Sequence, residues 1–291
     1  MASKKVLIVY AHQSGASFNA AAKDAAVEVL SAQGCAVEVS DLYAIKFRAA
    51  ATAEDVGEVK NPQHFRYSEE TKLAWEEGKL SADIMEEQRK LKEAELVIFQ
   101  VTSEGSLLSL QHLLTGLHFQ FPMYWFSFPA ILKGWIDRVL TLGFAFSPEK
   151  RFSEGVFKDK RALLSFTTGS QQSMFSSNGI NGDMNVTLWP MQNGILHYCG
   201  FQVLAPQIFW APSDSSAEAR AAMLESWRKR LAGVFGDAPL TFTPLECFDV
   251  KAGFQLKPDV QEKHAGREFG LTAGVHLGKP LPPHSQMKAG V

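Results

Sequence analysis

The 291 residues carry 29 Lys and Arg against 31 Asp and Glu, and a net charge of -2 offers no positive field to nucleic acid or anionic lipid. No apolar run reaches membrane-spanning length, and the first strand follows two lysines with no signal-type leader, so a cytoplasmic setting is expected. Cys35, Cys199 and Cys247 are odd in number and far apart, and no histidine stands at a ligand-like spacing, which argues against a disulfide framework and against a metal centre.

Short apolar runs alternate with amphipathic segments along the chain. Residues 5–11 (KVLIVYA) read as a strand covered on both faces, and residues 17–34 as a helix with a Ser at its start and a Gly at its end. Residues 35–43 form the second strand, 81–94 a helix, 95–100 (ELVIFQ) the third strand, 128–140 a helix and 161–169 the fourth strand. A mostly apolar helix at 183–200, a fifth strand at 201–210 and a helix at 215–235 complete the series. This order predicts an α/β fold, a doubly wound parallel five-stranded sheet with helices on both faces. Residues 43–80 form a long excursion outside the alternation. The chain divides into a main domain, 1–239, and a Pro/Gly-rich appendage, 240–291, whose phenylalanines predict packing on the main domain or on a second subunit.

Ligands in such sheets sit beyond the carboxyl ends of the strands. Three loops fall there. AHQSGASFN, residues 11–19, opens into a helix whose backbone N–H groups either hold a pyrophosphate or only start the helix. FPMYWFSF, residues 121–128, gathers aromatic residues on a loop, and TTGSQQSMF, residues 167–175, adds small hydroxyl residues and a glycine. Alone, the aromatic run reads as core packing, but flat aromatic surface beside close-approaching backbone donors in combination suits a flavin ring.

These loops, with DLYA, VIFQ, FPxxWFxxPAILKGW, TTG, GDMNVxLWPxQxGILHxCGFQVLxPQ and the closing FGLxxGxHLGKxxP, resemble the NAD(P)H:quinone oxidoreductase family of flavodoxin-like fold, in its longer branch. The resemblance implies a homodimer with active sites at its interface, one FAD per subunit, and ping-pong two-electron reduction of quinones by NADH or NADPH. It places His12, Ser17, Phe18 and Asn19 at the FAD phosphates and ribose. Pro122, Met123, Tyr124, Trp125 and Phe126 would lie along the isoalloxazine, Thr167, Thr168, Gly169 and Ser170 at its polar edge, and Arg220 near the adenine. Ala145, Phe146, Ser147, Tyr198 and Phe254 would wall the substrate.

Some positions depart from the family pattern. Phe175 and Asn181 replace the Tyr and His of a proton relay, and neither side chain can run it, because Phe has no hydroxyl and Asn does not titrate near neutrality. Phe146 and Pro148 replace wall tyrosines, Ser170 a glycine, and Arg66 a FAD-contacting Gln. A catalytically weakened, dimeric protein-binding module is the competing expectation.

Residues 101–120 separate two segments that are contiguous in the family. Leu107, Leu110, Leu114 and Leu117 fall near helical spacing, as in an added lid. The preferred reading is an unspliced in-frame intron, since every Val codon begins GT and Phe-Gln can be written TTTCAG. If the segment is present in the mature chain, it is expected to disturb flavin binding.

Overall fold

The computed structural model describes residues 3–101, 123–176, 178–267 and 270–273. Pro122 and the predicted insertion beyond Val101 lie outside these residues, as does most of the closing FGLxxGxHLGKxxP motif.

Continuous apolar sequence is buried on both faces at the sheet centre. Strands β1 (Lys5–Ala11) and β3 (Leu96–Val101) pair in parallel, as do β3 and β4 (Arg161–Thr168). β2 (Ala36–Asp41) alternates in sequence and exposure because it forms an edge. The sheet order is β2-β1-β3-β4, with the last lane shared by β5 (Gln202–Val203) and β6 (Gln207–Trp210), both parallel to β4. The fifth strand, expected as one run, is thus broken. Pro206 lacks the N–H that a ladder needs, and the register against β4 slips by one residue across the break.

Helices α1 (Phe18–Ala32) and α6 (Ala217–Gly233) cover one face. The small Ala22, Ala25 and Ala26 bring α1 close, and the Trp227 indole N–H donates to Ala22 O at 3.0 Å. The other face is covered by α3 (Ala82–Glu93), α4 (Ala130–Val139) and α5 (Met184–Met191), which bury Leu91, Trp135 and Leu188. The architecture is the predicted one.

The excursion after β2 contains a helix that periodicity did not reveal, α2 (Tyr67–Glu76). Buried Glu70 accepts from the backbone N–H groups of Lys60 and Asn61 at 2.7 and 2.8 Å, fixing its approach. Gly134 of α4 lies against this excursion so closely that a Cβ there would sit 2.3 Å from Ala49 O. Fully buried Arg138 forms the clamp. It donates to both Asp55 carboxylate oxygens at 2.8 and 3.1 Å, to Asp83 at 2.7 Å and to Arg48 O at 2.8 Å. Arg48 and Tyr67 also bond Asp55.

Burial alone would raise the Asp55 and Asp83 carboxyls, but hydrogen bonds, first those from Arg138, outweigh it and hold both below the usual range. Their stabilising contribution is therefore complete above the unfolded carboxylate pKa near ~4 and is lost as pH falls through the depressed folded values. Arg138→Ala is expected to cost about 3–5 kcal/mol at neutral pH by stranding buried charge. Chemical denaturation across pH checks this: the deficit should narrow in acid, where the aspartates protonate.

The appendage begins against the sheet edge, with Leu240 N–H donating to Val203 O at 2.7 Å. Phe242 stacks on His197, which follows α5 in a π-helical turn (Gln192–His197), at 4.3 Å between ring centres. A short antiparallel pair, β7 (Phe248–Asp249) with β8 (Gln255–Leu256), and helix α7 (Pro258–Lys263) follow.

Candidate functional site

At the carboxyl end of β1, Ser17 caps α1 by accepting from Ala20 N–H at 3.1 Å. The first turn of α1 holds no acidic residue, so its positive end is not neutralised locally. Buried His12 places Nδ1 2.9 Å from the Ser14 N–H, 3.0 Å from Ser14 O and 3.2 Å from Ser17 Oγ, which pins the ring inside this loop. Asn19 ties this loop to its neighbours. Its side-chain amide donates to Thr167 Oγ1 at 3.4 Å and its backbone carbonyl accepts from Gln100 Nε2 at 2.9 Å, while Phe18 meets Phe209 edge-on at 5.1 Å.

The aromatic loop is more unusual. Met123 is buried, and the turn Tyr124–Phe126 is closed by Phe126 N–H to Met123 O at 3.0 Å. Trp125 and Phe126 have φ of 49° and 61°, two successive bulky residues in the left-handed region. Each such conformation costs on the order of 1–3 kcal/mol and persists where the surroundings impose it. The result is an indole 77% exposed beside Phe126, itself edge-on to buried Phe175 at 5.7 Å. Gln13 donates to the Tyr124 hydroxyl at 3.4 Å, joining this loop to the first.

The third loop leaves β4 at buried Thr167 and Thr168. The Thr168 hydroxyl donates to Ser170 O at 2.6 Å and its carbonyl accepts from Ala211 N–H at 2.8 Å, which folds Gly169 and Ser170 beside β6. Phe175 packs between Phe126 and Trp210, 5.8 Å from the latter, and Asn181 donates its backbone N–H to Met174 O at 2.9 Å. Arg220 holds the loop after β6 through Ser215 O at 2.5 Å. Arg66 lies exposed at the start of α2, paired with Glu69 at 2.8 Å.

The three loops therefore meet at the carboxyl ends of β1, β3 and β4. The expected substrate wall does not join them there. Ala145, Phe146 and Ser147 lie between α4 and the start of β4, and Tyr198 lies after the helix that returns to the start of β5. Phe146 and Tyr198 pack at 5.4 Å, and Phe152 meets Tyr198 at 5.2 Å. The eight residues of β4 span about 23 Å between the two groups. A cavity of about 410 Å³ opens beside this wall, lined by Tyr198 and Phe254 together with residues of the appendage.

Two participants escaped the sequence reading. Trp210, at the carboxyl end of β6, backs Phe175, and Gln13 reaches Tyr124. Strand-end position, applied to the fifth strand as to the others, would have flagged Trp210.

The family model described as flavodoxin-like fold matches residues 4–102 and 116–231, the match breaking inside the segment read as inserted. NAD(P)H dehydrogenase (quinone) 1 of Rattus norvegicus is 47% identical over 292 positions that cover 99% of each chain. Ribosyldihydronicotinamide dehydrogenase (quinone) of the same organism is 51% identical over 245 positions, covering 84% of this chain and 97% of its own. A Klebsiella pneumoniae structure, provisionally named a quinone reductase, superposes with a TM-score of 0.77 at 36% identity, over 94% of this chain and 99% of its own.

Proposed function

The chain belongs to the flavodoxin-like NAD(P)H quinone oxidoreductases, and on that premise we propose that it reduces quinones with NAD(P)H as an FAD-dependent, dimeric, cytoplasmic enzyme. The observation that carries the flavin is Trp125: a strained, 77% exposed indole set among three strand-end loops is a platform for a flat ring. The polar groups fit the rest of an FAD. The His12 ring and the open end of α1 suit its phosphates, Asn19 its ribose, and the backbone after Thr168 its polar edge. Bound there, the flavin supplies hydride acceptance from NAD(P)H and two-electron delivery to a quinone in alternation.

The chain's own residues orient the partners and exclude water. Met123 and Phe175 form an apolar floor, and Phe126 closes one side. No side chain at positions 175 or 181 can donate and recover a proton near neutrality, so the quinone's protons come from elsewhere than these two positions. The wall residues lie a strand's length from Trp125 in their own chain. We therefore assign them to the site of a second protomer, which makes the dimer a condition of substrate binding. Three free cysteines, with no disulfide among the described residues, fit the cytoplasmic assignment.

The lost relay favours one competing reading, a partner-binding module of the same fold. Purified protein separates the two. Yellow colour retained through gel filtration, with NAD(P)H-dependent reduction of a naphthoquinone, is the expected result. Colourless protein that excess FAD cannot reconstitute overturns the enzyme reading and supports the binder.

A further inference from the structure

The cavity beside the wall contains more than apolar surface. Phe152, Trp189, Tyr198 and Phe254 give it aromatic sides, Asn193 adds an amide, and among the described residues the one formally charged residue lining it is Arg151. Two of these rings are built in at conformational cost, since Phe152 and Phe254 have φ of 52° and 64°, in the left-handed region that bulky residues avoid. The Arg151 guanidinium stacks over the Phe254 ring at 4.6 Å. Stacking occupies its face and leaves its in-plane N–H groups available to a planar acid. Lys158, seven residues on in the chain, is paired with Glu154, whereas Arg151 has no ion pair among the described residues.

We infer that this cavity is the half-site for an aromatic acid, a quinone-like ring bearing a carboxylate or sulfonate, with the ring among Tyr198, Trp189 and Phe254 and the acid on Arg151. The inference deepens the quinone-reductase reading by naming its substrate class, and it rests on that reading only for turnover. Its volume lies within the usual range for a small-molecule site. A half-buried, stacked arginine in the field of Glu149 but in no ion pair among the described residues is the feature that neutral quinones do not use.

The test begins with binding, which needs no turnover. Calorimetry on the purified chain compares naphthoic acid, ionised at neutral pH, with the isosteric naphthamide. The acid is expected to bind about 10- to 100-fold tighter, the worth of a charge-assisted hydrogen bond. Arg151→Gln is expected to abolish that preference. Equal affinities in the unmodified chain, a comparison that depends on no variant folding, overturn the inference, and so does a preference that survives Arg151→Gln. Turnover then separates the two readings. If the chain prefers the acid but reduces neither a naphthoquinone nor its sulfonate, this inference stands and the reductase reading fails. If it reduces the neutral naphthoquinone without discriminating acid from amide, the reverse holds.

Discussion

Phe175→Tyr combined with Asn181→His is expected to raise quinone turnover, by up to about 10²–10⁴-fold where proton delivery limits the rate. Phe175 lies 5% exposed between Phe126 and Trp210, so a hydroxyl added at its ring tip enters the floor of the proposed flavin slot rather than solvent. Asn181 is half-buried on the same segment, anchored by its backbone to Met174. A histidine there restores a group that titrates near ~6.5. The pH profile is the decisive readout. In the double variant the gain should shrink as pH rises through about 6.5 and the imidazolium is lost, while the unmodified chain should show no such limb. The new hydroxyl costs about 1–3 kcal/mol in stability if it finds no partner, which thermal unfolding reads independently of rate. Turnover that stays unchanged, in folded and flavin-loaded protein, would falsify the claim that a missing relay limits this enzyme.

What sequence could not supply was long-range geometry. The central strands were legible because double-sided burial writes itself as unbroken runs such as KVLIVYA. Helix α2 was not, because its position depends on Glu70 capping a backbone turn ten residues upstream and on Arg138 reaching Asp55 across 83 residues of chain. The broken fifth strand was announced only by Pro206. At the site, loops on single strand ends were found by topology alone. The resemblance supplied the wall residues, but only the folded chain places them at the opposite end of β4. The left-handed Trp125 and Phe126 also had no local signal, since no glycine or asparagine marks them.

Trp125→Gly is expected to weaken flavin binding by about 5- to 150-fold, equivalent to the ~1–3 kcal/mol of one aromatic ring stacked on a planar heterocycle. Glycine is the informative replacement because it separates ring from backbone. At φ 49° it relieves a left-handed conformation that costs other residues about 1–2 kcal/mol, partly offset by roughly 0.5–1 kcal/mol of added chain entropy in the unfolded state. The indole is largely exposed, so its removal sacrifices little buried surface in the flavin-free protein. Thermal unfolding without flavin should therefore show equal or slightly raised stability, while fluorescence titration with FAD shows the loss. Trp125→Ala should lose flavin to a similar extent yet unfold at a lower temperature than the glycine variant, because it keeps the strained backbone without the ring. That pairing assigns the strain to function: the fold holds an unfavourable conformation at this residue in order to present a flat surface, and both variants binding FAD as tightly as the parent would show that the platform lies elsewhere.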